Sequence, residues 1–99
     1  MLAMRWAALA DAGAVAALLA QVDDDEARWP VKAGLGALSG WHGHLVEERM
    51  AELSATMEAG LGALLGVREA GHDPKAPAKA LWREFAEARS AIRALLEAG

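Results

Sequence analysis

Three histidines, His42, His44 and His72, are the only side chains in this sequence whose ordinary titration falls near neutral pH. His42 and His44 stand two residues apart, so on a helix they diverge by about 200° and cannot share a metal ion, whereas an extended segment would bring them to one side. His44 with Glu47 or Glu48 has the spacing that a helix turns into a two-ligand chelate. A zinc site wants three or four ligands, and His72 is the remaining candidate. A phosphoryl-accepting histidine would need a cation nearby, yet His42 is followed by Gly43-His44-Leu45-Val46 and the next lysine is Lys75. A histidine-bearing bundle with a metal or phosphoryl site therefore stands only as a further alternative.

Acid–base chemistry fares no better. Glu48 and Glu52 share a helical face with nothing apolar between them, which describes a solvated surface rather than a carboxyl desolvated beside an apolar wall. Ser39, Ser54 and Ser90 have no neighbouring His–acid pattern. With no cysteine, thiolate nucleophiles and cysteine-based metal sites are excluded. The expectation is a protein that is not an enzyme and carries no cofactor and no metal.

The elements that would position such residues follow from composition. The chain has 99 residues, 55% of them hydrophobic, and a net charge of −4. That length supports one domain over residues 1–99 with one modest core. An acidic chain with scattered cations lacks the field that drives nucleic-acid binding, so nucleic acid is a poor partner. Alanine is abundant, Ile92 is the one isoleucine, Phe85 the one phenylalanine, and tyrosine is missing, which leaves almost no strand formers. An all-α fold is predicted from this alone.

Residues 1–22 are nearly all apolar, but Asp11 interrupts the run and alanine dominates it. Neither a signal peptide nor a membrane span is expected, and a cytoplasmic protein follows as the expectation. The spacing instead predicts a buried, Ala-rich helix from about Leu2 to Val22, with Trp6, Leu9, Gly13, Ala16 and Leu19 on one face, widened by Val15, Leu18 and Val22. Asp23-Asp24-Asp25-Glu26 stops it, and a second helix should begin between Asp25 and Pro30.

From Val31 to Ala70 there is no proline, and large apolar residues recur at eleven-residue intervals: Leu35, Val46 and Met57, then Met50 and Leu61, then Leu53 and Leu64. That period keeps one stripe on one side of a straight helix. A single helix of about forty residues, roughly 60 Å long, is the simplest reading, with Gly34–Gly43 as the place where it would kink or break. A break there would make the chain a four-helix bundle. Gly36 with Gly40 and Gly62 with Gly66 are four apart, and Ala51, Ala55, Ala59 and Ala63 lead toward the second pair. Small residues at this spacing let a second helix approach closely.

Gly71 and the two prolines Pro74 and Pro77 predict a turn, followed by an amphipathic helix from about Pro77 to Ala98. Leu81, Phe85, Ala88, Ile92 and Leu95 would face inward, while Arg83, Glu87, Arg89, Arg93 and Glu97 would face water.

Trp41-His42-Gly43 reads W-x-G near the middle of a chain of about a hundred residues. In this it resembles the WXG family of small secreted helical hairpins. The resemblance implies that the motif sits in the turn between two long helices, and a WXG-like hairpin is carried as the alternative function.

The reading that results is an antiparallel three-helix bundle, or a four-helix one, with a long central helix whose apolar stripe outruns its neighbours. An uncovered stripe marks a partner surface. The expected function is therefore a non-catalytic assembly or adaptor protein acting on itself or on another helical protein. Its contact residues would be Met50, Leu53, Ala55, Met57, Ala59, Leu61, Gly62, Leu64 and Gly66.

Overall fold

A computed structural model of the chain describes residues 2–24 and 40–98. They form three helices packed against one another, α1 (Leu2–Ala20), α2 (Gly40–Glu69) and α3 (Lys75–Ala98), with no strand among the described residues. None of these helices is long and apolar enough to cross a membrane. The proposed start of a helix near Trp29-Pro30, and Leu35 in the apolar stripe, lie outside the described residues.

The helix ends are written in local chemistry. α2 stops at Gly71, whose φ of 81° places it in the left-handed region. His72 N–H donates to Val67 C=O and Gly71 N–H to Arg68 C=O, both at 3.0 Å, a paired closure that satisfies the last carbonyls. α1 closes the same way at Gln21, with Val22 N–H on Ala17 C=O at 2.9 Å and Gln21 N–H on Leu18 C=O at 3.1 Å. Here the left-handed residue carries a side chain, at φ 57°. α3 starts two residues before the expected Pro77, because a proline in the first turn lacks only an N–H that no helical carbonyl requires. The Asp73 carboxylate accepts the Lys75 N–H at 3.0 Å and caps that start.

At the other end of α2, Gly40 has φ 63°, so a regular helix does not run back through it. The central helix is therefore 30 residues long and about 45 Å, not the forty residues expected from the absence of proline. Its eleven-residue stripe is the core: Val46, Met50, Leu53, Met57 and Leu64 are buried and Leu61 packs against them. Against this stripe lie Trp6, Leu9, Ala16 and Ala20 of α1 and Ala78, Leu81, Phe85 and Ile92 of α3. Trp6 and Phe85 stack at 5.7 Å between centroids, 18° from parallel.

Two glycines permit the close packing. A β-carbon at Gly13 would come within 2.6 Å of the Phe85 ring, and one at Gly60 would collide with the Leu81 side chain. The tight turn makes α2 and α3 antiparallel. Arg5 meets Glu47 at 3.8 Å, and Arg5, Leu9 and Ala12 line one groove with Met50, Ser54 and Leu61, so α1 and α2 advance in the same sense.

Candidate protein-contact surface

The expected contact residues divide into two groups. Met50, Leu53, Met57 and Leu64 are buried within the chain itself, and Leu61 is half-buried against them. Their apolar area is already taken up by α1 and α3, so these large residues are not the uncovered stripe expected and offer a partner no surface. Ala55, Ala59, Gly62 and Gly66 lie on the outward side of α2, where Ala55, Ala59, Gly62 and Gly66 are all exposed. A β-carbon at Gly62 or Gly66 would meet nothing within 4 Å. The small edge is real, but neither glycine is needed by the packing of α1 or α3.

A second apolar face went unrecognised. Val15 and Leu18, expected to widen the buried face of α1, are exposed together with Met4. α2 and α3 cover only one side of α1, and the side they leave open carries Met4, Val15 and Leu18 beside the helix's two charges, Arg5 and Asp11. A helix that is hydrophobic all round is ordinarily enclosed on every side. The signal was present in the sequence: residues 2–22 carry only Arg5 and Asp11 as charges, too few to make a solvated face.

Between these two faces runs an open apolar groove of about 610 Å³. Ala8 and Ala12 from α1 and Ala51 and Ala55 from α2 line it, above the buried Leu9, Met50 and Met57. Arg5, held level with Glu47, stands at one end, and Glu58 stands eleven residues further along α2, about 16 Å away. One end thus carries the Arg5–Glu47 ion pair and the other the carboxylate of Glu58. Leu65, one turn beyond Leu61, continues the apolar surface and is 58% exposed.

The histidine chemistry finds no assembled site. His44 lies in the second turn of α2 and His72 just past its other end, roughly 40 Å apart along the helix, so His72 cannot complete a set with His44 and Glu47 or Glu48. Among the described residues no three potential ligands are grouped around a point. Trp41-His42-Gly43, expected in a turn, is helical and belongs to the first turn of α2. Trp41 is 67% exposed and stacks on His42 at 4.1 Å.

One polar cluster was misplaced by the sequence reading. Arg89, assigned to the solvated face of α3, is buried: its guanidinium Nη1 donates to both Asp24 carboxylate oxygens, at 3.0 and 3.2 Å. Trp82 Nε1–H donates to the same carboxylate at 2.7 Å. Arg89 also lies over the Phe85 ring, 5.3 Å from its centroid. Helical spacing could have found it, since Trp82, Phe85, Arg89 and Ile92 fall on one side of α3. The cluster ties the segment that follows α1 to α3, an architectural role. Compared with known proteins, the chain matches no family, no curated protein and no solved structure.

Proposed function

We propose that this chain is a non-catalytic helical assembly or adaptor protein that works through protein–protein contacts on the face formed by α1 and the outward side of α2, with a second copy of itself as the first partner to test. The observation that carries this reading is the pair Gly62 and Gly66. Each sits within α2, Gly66 in its last turn, where glycine is less favourable than alanine by up to about 1 kcal/mol, and neither is required by a neighbour among the described residues. Beside them the exposed Met4, Val15, Leu18 and Leu65 provide apolar area of the kind that a partner covers.

Light scattering coupled to size exclusion, over a roughly hundred-fold range of protein concentration, tests the reading by mass action. A mass that rises toward twice that of the chain supports it. The Gly62→Leu variant, whose side chain has open space in the isolated chain, should keep its helicity and lose the association. A constant monomer mass throughout that range overturns self-association.

A further inference from the structure

On α2 alone, Glu48 and Glu52 have nothing apolar between them, but α3 brings apolar residues alongside. Two open cavities of about 530 and 300 Å³ lie between α2 and α3, share Arg49, Glu52 and Ala91, and so form one groove. Leu53 is buried at its base, and Leu45, Ala88, Ala91 and Leu95 are half-buried along it. The charge on its walls is mostly of one sign: Glu48 and Glu52 on α2 and Glu84 and Glu87 on α3, against the single cation Arg49. These five side chains are exposed, and among the described residues none of them makes an ion pair. The exposed cations of α3, Lys75, Lys79 and Arg83, line neither cavity. Glu48 with Glu52 and Glu84 with Glu87 are like charges one turn apart, an arrangement that weakens a helix rather than supporting it.

We infer that this groove receives a basic amphipathic helix of another protein, laid along α2 and α3 as a fourth helix. The uncompensated carboxylates on both walls call for cations on both sides of the occupant, and the base of the groove calls for an apolar stripe between them. Both walls are helices, whose backbone groups are bonded within themselves. They offer no edge to which an extended peptide could add as a strand, so the occupant must satisfy its own backbone, as a helix does. From Leu45 to Thr56 the groove runs about 16 Å, three turns of helix. None of the three described helices of a second copy fits it. α1 pairs one arginine with one aspartate, α2 has more acids than bases, and the apolar stripe of α3 is already buried in the core. This face is separate from the one proposed above for self-association and does not depend on it.

The probe is a synthetic peptide of about fourteen residues, a little longer than the groove. It carries leucine at i, i+3, i+4 and i+7, lysine on both flanks of that stripe and alanine elsewhere, and a scrambled peptide of the same composition is its control. Titrated into the full chain, the amphipathic peptide should gain helicity in circular dichroism and bind about tenfold or more tightly than the scrambled one. Glu52→Lys combined with Glu87→Lys should weaken its binding about tenfold or more. Asp23→Lys combined with Glu69→Lys makes the same change in net charge at exposed positions outside the groove, and should leave binding within about twofold of the wild-type chain. Circular dichroism of each variant alone shows whether its fold is kept. Equal binding of the scrambled peptide, or equal weakening by the two double variants, overturns the inference, because either result makes overall charge the cause. Light scattering on the same variants checks the remaining occupant: a wild-type chain that self-associates and a Glu52→Lys/Glu87→Lys variant that does not would give the groove to a second copy and overturn a foreign helix.

Discussion

Asp24 and Arg89, far apart in sequence, close on each other at 3.0 Å with side chains only 5% and 9% exposed. A carboxylate and a guanidinium out of water are each costly, and here each answers the other: the carboxylate accepts from Arg89 and Trp82, and the guanidinium rests on the Phe85 ring. The pair fixes where the chain leaves α1, and with it which side of α1 is turned to α3.

Removing one partner strands the other. Asp24→Ala should lower the stability of the fold by about 3–5 kcal/mol, the range for a broken buried ion pair. Trp82→Phe keeps the ion pair and loses one hydrogen bond to a charged group, and should cost about 1.5–3 kcal/mol. Urea unfolding followed by circular dichroism reads both, and an Asp24→Ala variant as stable as the wild-type chain would contradict the buried pair.

Glycine-to-alanine substitutions should differ in sign along the chain. Gly13→Ala drives a methyl group into the buried Phe85 ring and should destabilise by about 1–3 kcal/mol. Gly62→Ala and Gly66→Ala meet open space and should stabilise the isolated chain by about 0.5–1 kcal/mol each. The measurement is the shift in urea midpoint at a concentration low enough to keep the chain monomeric.

Gln21 holds a left-handed conformation that glycine adopts without strain. Relief of that strain, about 1 kcal/mol, competes with the greater freedom of an unfolded glycine, so Gln21→Gly should raise stability by a few tenths of a kcal/mol up to about 1. Thermal unfolding would register this as an upward shift of a few degrees, and a downward shift would argue against the closure seen at the end of α1.

Asp73→Ala removes the side chain that caps α3 and should cost about 1 kcal/mol. Asp73→Asn keeps an accepting oxygen and should recover most of that loss, which separates capping from charge; thermal unfolding of the two variants side by side makes the comparison.

The sequence by itself determined the elements and most of the core. Alanine abundance with few strand formers selects helices, Gly71 with Pro74 and Pro77 makes the corner, and the eleven-residue recurrence of Val46 and Met57 marks the face of α2 that turns inward. Each of these is a local property, set by backbone preference or by angular position around one helix axis. Tertiary structure decided what covers each face. Periodicity states that Val15, Leu18 and Leu9 are apolar, but only the placement of two neighbours on one side of α1 exposes the first two and buries the third. Arg89 could be read as a surface charge until Asp24 arrived from the end of another helix to neutralise it. Periodicity already sets Gly13 among the inner residues of α1 and Gly60 between Met57 and Leu64, away from Gly62 and Gly66, but only the arrival of Phe85 and Leu81 in space makes the first two sites intolerant of a side chain. Solvent access and the requirement for a buried partner depend on several elements at once, so no single helix carries that information.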